Sequence, residues 1–511
     1  MIARLICTTI LLMVVTANVM SQSVGAITPN KSIATLGRVW GLLKYYHPRV
    51  ATEKLDWDQV LTITLPKAEQ SHNDSTMLTL PLRQRLNYIV ANRNQQTDRY
   101  VHWNPLQNRL EFSEQNYEQM ALPDQSYRLL GLIRYWNAIQ YFHPAKYLLD
   151  RDWKTVLTDF VPKFRETTDT LAYQLVLRKL IGTIEDGHAT LEIPTKYRLA
   201  GLTPALLPPF YTHIVSDTLL VAGLYNDSLC QLNGIRRGDR IVGIDGKTVS
   251  QLIDERSAYA SASNRSAKVQ QLSPYLLTGS SADVRLQVVR AGQRVEVPVK
   301  RYSFKAFGYH PAEAVNSPKV VPATIGYVDM GQLRVGDVKK LMNKYRDYKG
   351  IIFDVRTYPR GTFQRLSSYL NPHPTGFARY TKPDLSFPGG FKSGPVQYTG
   401  QDNTDYYKGK VAILCNSYTQ SAAESTCMAL RTAPNAKIIG SQSAGANGDV
   451  SYVNFPGGYE TRFTGTGVYT VDGKPVQRNG VPIDIEVKPS CADVLSGTDR
   501  TLQTAIEWIN Q

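Results

Sequence analysis

The stretch NSYTQSAAES, Asn416 to Ser425, sets a serine where a strand turns into a helix. VAILC (411–415) before it is a short apolar run of the kind that forms a buried strand. AAESTCMALRTA after it brings Ala422, Cys427, Ala429 and Leu430 to one apolar helical face. Two chemistries are open to Ser421 there. Ser421-Ala-Ala-Glu424 fits the S-x-x-E capping box, in which serine and glutamate satisfy the first orphan amides of a helix. The same helix start offers amides and a partly positive dipole to an anion, as a nucleophilic serine requires. A nucleophile also needs a base and a second oxyanion donor from elsewhere in the chain.

The chain that must supply them has 511 residues, enough for three or four domains. With 42% apolar and 20% charged residues it is globular in composition. Residues 1–26 read as an export signal: a basic start at MIAR, the apolar LICTTILLMVVTANVM, then small residues in SQSVGA. Thr8, Thr9, Thr16 and Asn18 interrupt the apolar run, which argues against a membrane span. A periplasmic or cell-envelope location is expected. The net charge of +15 comes from scattered Lys and Arg without a nucleic-acid motif, so it points to anionic envelope surfaces or acidic substrate segments. No C-x-x-C or Cys/His cluster indicates a metal, and Cys415 and Cys427 read as small core residues.

An internal repeat organises the first part. LGRVWGLLKYYHPRVATEKLDWDQVLTITLPK (36–67) aligns without a gap on LIRYWNAIQYFHPAKYLLDRDWKTVLTDFVPK (132–163). Each copy predicts an aromatic amphipathic helix stopped by His-Pro and a second helix opened by Asp-Trp. His47 and His143, paired by duplication just before a helix-ending proline, are expected to be structural. RYVHWNPLQNRLEF (99–112) predicts a small hairpin between the copies, so residues 30–200 form a mostly helical duplicated module whose end joins the following core.

From 203 to 303 the pattern becomes β-rich. GIRRGDRIVGIDGKTV (234–249) and DVRLQVVRAGQRVEVPVKR (283–301) resemble a PDZ domain, which would hold an extended peptide as an added strand. From 304 to 511, ATIGYVDM, GIIFDVR, KVAILC and AKIIGS are short apolar strands alternating with helical segments, an α/β pattern.

LIGTIEDGHATL (180–191), the PDZ-like unit, GIIFDVRTYPRG (350–361), VAILCNSYTQSAAES with AKIIGSQSAGANG (411–448), and YTVDGKPVQRNGVPIDIEV (469–487) follow in that order. Together they resemble the S41 peptidase family, which includes C-terminal processing proteases and the tricorn core. The resemblance implies a multidomain α/β protein with a crotonase/ClpP-like α/β core, a PDZ-like β domain and the duplicated helical module in front. It puts Ser421 at the nucleophile, the Ala422 amide at the oxyanion, and a second amide at Arg360 or Gly361, where the family usually has two glycines. Processing proteases of the family use a lysine in T-x-G-K; here Ser443-Ala444-Gly445-Ala446 has alanine in its place. The tricorn branch uses a histidine, whose position falls on His188. That branch also has a serine just before the histidine and a late glutamate; here Gly187 and the Gln477-Arg478-Asn479 stretch stand there. The orienting third member stays unassigned, with Glu185 and Asp186 nearby only in sequence.

The expectation is a serine peptidase, an endopeptidase or carboxyl-terminal processing type, acting on peptide or protein segments. No metal or organic cofactor and no nucleic acid is implied. The alternatives are an inactive PDZ-containing peptide-binding protein on this scaffold and a hydrolase of a non-peptide acyl substrate.

Overall fold

The computed structural model describes residues 28–48, 50, 56–70, 100–197, 206–215, 217–307 and 321–511. The apolar start at 1–26 lies outside the described residues. No helix among the described residues is long and apolar enough to cross a membrane.

The repeat folds as two helical hairpins: α1 (Pro29–Tyr46) with α2 (Trp57–Gln70), and α3 (Gln125–Phe142) with α4 (Trp153–Arg165). Between them lies the hairpin β1 (Val101–Asn104) and β2 (Arg109–Phe112). His47 and His143 stand in extended conformation directly after α1 and α3, because a residue before proline is pushed out of helical geometry. In each copy two tryptophans close the hairpin by exchanging indole N–H to carbonyl bonds, Trp40 with Trp57 at 2.8 and 3.1 Å and Trp136 with Trp153 at 2.9 and 3.1 Å. The copies also clasp each other at equivalent positions: Arg134 reaches Asp58, and Arg38 reaches the Lys154 carbonyl at 2.8 Å. Where α1 and α3 cross, Gly37 faces Ile133 and Gly41 faces Asn137, glycines in one copy making room for side chains in the other. Buried Lys44 bonds Asp58 at 3.0 Å and Glu114 at 2.8 Å, so the two anions beside Arg134 are shared with a second cation.

After α5 (Thr170–Gly182) and β3 (Leu191–Glu192), a second unit forms around an antiparallel sheet. Its strands are β4 (Phe210–Val215), β5 (Thr218–Leu224), β6 (Arg240–Ile244), β7 (Asp283–Arg290) and β8 (Gln293–Lys300), in the order β8-β7-β6-β5-β4. Helices α6 (Val249–Ser257) and α7 (Arg265–Leu272) lie between β6 and β7 in the chain.

The last part holds a five-stranded parallel sheet of β9 (Ile325–Asp329), β10 (Gly350–Asp354), β13 (Lys410–Cys415), β14 (Ala436–Gly440) and β18 (Ile485–Glu486), in that spatial order. Alternate residues feed two separate cores, Ile351, Phe353, Val411 and Ile413 on one face and Ile352, Ala412, Leu414 and Ile439 on the other. Helix α10 (Arg500–Asn510) covers the second face with Leu502, Ala505 and Ile509. On the first lie α8 (Phe363–Leu370) and α9 (Ala422–Leu430), packed against each other. Beside them are two three-stranded antiparallel sheets. One is β12 (Phe391–Thr399), β11 (Thr375–Pro383) and β17 (Gly467–Tyr469); the other is β15 (Val450–Phe455), β16 (Tyr459–Thr464) and β3.

The helical module does not keep its core to itself. Val453, Phe455, Tyr459 and Phe463 of β15 and β16 belong to the same apolar cluster as Trp136, Phe142, Phe164 and Tyr173. An expected boundary near 200 is therefore crossed by strands from 450–464, because the module's inner face needs a partner that the repeat does not supply.

Candidate active site

Three neighbouring parallel strands release their loops from one edge of the sheet. Asp354 of β10 lies opposite Leu414 of β13, and Cys415 of β13 opposite Gly440 of β14. The loops that follow carry Gly361, Ser421 and Ala446, the edge where open α/β sheets place their sites. Thr419 Oγ1 donates to the Val355 carbonyl at 3.2 Å, and the Ala444 N–H to the Thr419 carbonyl at 2.9 Å, binding the three loops together.

Ser421 occupies the N-cap position of α9, yet its backbone is not that of a cap. Its φ of 60° and ψ of −121° lie in a region that costs a residue with a Cβ, whereas an ordinary N-cap is extended. Ser421 and Glu424 still pair as a box, with the Glu424 carboxylate accepting from the Ser421 N–H at 3.2 Å, but the serine hydroxyl makes no cap hydrogen bond of bonding geometry. The turn is a sharp strand-to-helix elbow. Nothing among the described residues accepts from the Ala422 or Gly361 N–H. Gly361 has φ 69° in open space, and the Arg360 guanidinium before it is turned away to the Gly331 carbonyl at 2.5 Å. Gly361 thus makes the left-handed turn alone.

Glu424 does more than cap. Fully buried, it also accepts from Ser443 Oγ at 2.6 Å and from the N–H groups of Gly445 at 2.8 Å and Ala446 at 3.1 Å. The Ser421 N–H in addition donates to the Ala446 carbonyl at 2.9 Å. Burial pushes the Glu424 carboxyl up to about 7, against hydrogen bonds from Ser443, Gly445 and Ser421 and the charge of His188.

His188 comes from the loop between α5 and β3. The Gln420 side-chain amide, one residue before Ser421, donates to the carbonyl of Gly187, one residue before His188, at 3.1 Å. Gly187 also faces Ala446, so the position matching the family lysine is a buried methyl against which the histidine loop is laid. His188 Nδ1 lies 2.9 Å from Thr464 Oγ1, and Nε2 is buried without a partner among the described residues. Asp186, fully buried, accepts from the His188 N–H at 3.0 Å, the Thr464 N–H at 2.6 Å and the Thr464 hydroxyl at 2.9 Å. Burial alone would raise this carboxyl; the bonds and charge of His188, with His143 behind, hold it well below the usual range.

The β-rich second unit also reaches the site, through 261–264 between α6 and α7. Ser261 Oγ donates to the Asp186 carbonyl at 2.8 Å, and Ser263 Oγ accepts from the Gly187 N–H at 2.9 Å. Asn264 Nδ2 donates to the Ser443 carbonyl at 2.8 Å.

Residues 324–487 match the family model of peptidase family S41. That stretch, which carries Gly361 and Ser421, is similar to an S41 serine peptidase core. Mature CPAF complexed with lactacystin is similar to 76% of the chain over 98% of its own length, at 14% identity and a TM-score of 0.58. Mature CPAF alone gives 76% and 97% coverage, 14% identity and a TM-score of 0.56. The tricorn protease gives 76% and 37%, 18% identity and a TM-score of 0.36. At this identity the CPAF likeness shows a shared fold, with parallel sheet and flanking antiparallel sheets. No curated protein matches the sequence.

Ser421 and Gly361 lie on loops of one sheet edge, Ala422 opens α9, and the His188 loop, which precedes the matched stretch, is hydrogen-bonded to the Ser421 turn. Asp186 was left unassigned beside His188 in sequence; the Asp-x-His spacing, which suits an Asx turn, is the signal that could have found it. Thr464 and Ser263 carried no signal of their own. The Gln477-Arg478-Asn479 stretch brings no carboxylate: Gln477 donates to Ser263 Oγ at 3.2 Å, and Arg478 pairs with Glu185 at 2.9 Å.

Proposed function

We propose that this S41 peptidase works by a serine–histidine mechanism on extended peptide segments. The observation that carries this reading is the Gln420–Gly187 hydrogen bond, which holds the strained Ser421 elbow against the loop of a histidine whose Nε2 has no partner among the described residues. The Ser421 hydroxyl attacks a peptide carbonyl as His188 Nε2 takes its proton. The Ala422 and Gly361 amides, with the α9 dipole, stabilise the oxyanion of the tetrahedral intermediate. The imidazolium returns the proton to the leaving amine, and water then hydrolyses the acyl-enzyme with the same base.

The β-rich unit acts as a PDZ-like peptide holder: β4 ends its sheet and can accept an added strand. Tyr358 and Tyr418, exposed on the loops beside Gly361 and Ser421, suit side chains of an extended substrate. An exported location remains part of the proposal and rests on residues 1–26 alone.

The test is intact-mass labelling with a fluorophosphonate. One adduct on wild type, absent in Ser421→Ala and much slowed in His188→Ala, is expected. No adduct on folded protein with probes of several sizes would turn the reading toward a binding protein. Turnover of small esters without peptide cleavage would point to another acyl substrate.

A further inference from the structure

The geometry points to Thr464 as a positioning residue: its hydroxyl links Asp186 to His188 and fixes the tautomer that leaves Nε2 free to accept a proton. This rests on the serine–histidine reading of the same site and supplies the orienting member that reading lacks.

The proton inventory decides the direction of each bond. Thr464 Oγ1 lies 2.9 Å from Asp186 Oδ1 and 2.9 Å from His188 Nδ1. Asp186 to Nδ1 directly is 3.6 Å, beyond a hydrogen bond, so the hydroxyl is the bridge. An ionised carboxylate can only accept, and Asp186 takes donors on both oxygens, the His188 N–H and the Thr464 hydroxyl on Oδ1 and the Thr464 N–H on Oδ2, as a carboxylate does. The single hydroxyl proton of Thr464 therefore goes to Asp186. Only lone pairs remain for His188, so the contact is a hydrogen bond only when Nδ1 carries the proton. A neutral imidazole protonated on Nδ1 has its lone pair on Nε2, the buried atom without a partner among the described residues.

The backbone holds this arrangement. Glu192 pairs with Glu460 and Leu191 with Thr461, and continuing that antiparallel register sets His188 opposite Thr464. Arg462 Nε donates to the His188 carbonyl at 3.0 Å and Thr461 Oγ1 to the Thr190 carbonyl at 2.7 Å, so the two segments cannot slide. The Thr464 N–H fixes the other carboxylate oxygen at 2.6 Å.

In the reaction, the Oγ–H bond of Ser421 breaks as its oxygen bonds the carbonyl carbon, and the proton forms N–H on Nε2. The imidazolium positive charge then faces Asp186 through the Thr464 dipole, with no proton leaving Thr464 or Asp186. The other ionisable groups that act on this pair are Glu424 below the Ser421 turn, Asp449 at the loop end, and His143 and Tyr135 behind Asp186.

The test compares full-length wild type, Thr464→Val and Thr464→Ser by fluorophosphonate labelling rate and by imidazole nitrogen NMR of histidine-labelled protein, with His188→Gln assigning the signal. Wild type should show Nδ1–H with an unprotonated Nε2 at neutral pH. Thr464→Val should lose the fixed tautomer and label about 100-fold more slowly or worse. Thr464→Ser should restore the tautomer and bring labelling within about 10-fold of wild type, which a loss of folding in the valine variant could not mimic. A wild-type Nε2–H tautomer, or wild-type rate and spectrum in Thr464→Val, overturns the bridge while Ser421-dependent labelling keeps the serine–histidine reading. An unlabelled wild type with the Nδ1–H tautomer lost only in Thr464→Val does the reverse.

Discussion

Gly187 and Ala446 meet so closely that a Cβ on Gly187 would stand 2.9 Å from the Ala446 Cβ. The glycine before the histidine and the alanine that ends Ser443-Ala444-Gly445-Ala446 thus meet at one contact, each requiring the other to be small. Small residues at both positions let the His188 loop lie on the loop that Glu424 clamps under Ser421.

It follows that Gly187→Ala should push the His188 loop away, and a displacement near 1 Å suffices to slow Ser421 labelling about 100-fold. Adding Ala446→Gly should recover most of that loss, a coupling that a double-mutant cycle on labelling rates measures. Ala446→Lys should not create a serine–lysine pair, because the position is fully buried against Gly187; it should lower both stability and labelling.

Ser421 at a strand-to-helix turn was legible because both flanking patterns are local: an apolar run of strand length, then a helical face behind a capping sequence. The His-Pro helix stops were legible for the same reason, since proline restricts only its neighbour. The His188–Thr464 contact was not, because it joins residues 276 positions apart through a register set by β3 and β16. The S-x-x-E pattern was legible too, since Ser421 and Glu424 do pair at the start of α9, but the positive φ of Ser421 was not. Nor could composition show that β15 and β16 would complete the core of the helical module, which the repeat in sequence makes look self-contained.

Glu424 should make stability depend on pH. Its carboxyl is raised by burial from 4.5 to about 7 in the folded chain, so its contribution is whole below about 4.5 and is lost as pH rises through about 7. A tenfold change in proton affinity corresponds to about 1.4 kcal/mol, so the effect amounts to ~3 kcal/mol. Glu424→Gln should be less stable throughout, since an amide nitrogen would face N–H donors, and should flatten this slope. Denaturant midpoints measured from pH 4.5 to 8 give the comparison.

The latch from the β-rich second unit makes a different forecast. Ser263→Ala removes the acceptor for the Gly187 N–H and for the Gln477 amide without touching a Ser421, His188 or Asp186 side chain. Loss of those two bonds should cost about 1–3 kcal/mol locally and slow labelling with only a small change in peptide affinity. Equal labelling in Ser263→Ala would mean that the unit only rests against the histidine loop.

Ser421→Gly should separate stability from chemistry at the elbow. A φ of 60° with ψ of −121° is open to glycine and strained for serine, at a cost of about 1–3 kcal/mol. Glycine gives part of that back through the greater freedom of the unfolded chain, about 0.4–1 kcal/mol. The variant should therefore unfold at higher denaturant, by about 1 kcal/mol net, while losing all labelling. Ser421→Ala loses labelling too but keeps the strain, so its midpoint should stay near wild type. A glycine variant no more stable than the alanine one would mean that the elbow stores no strain, and that the backbone of Ser421 rests where its neighbours alone would hold it.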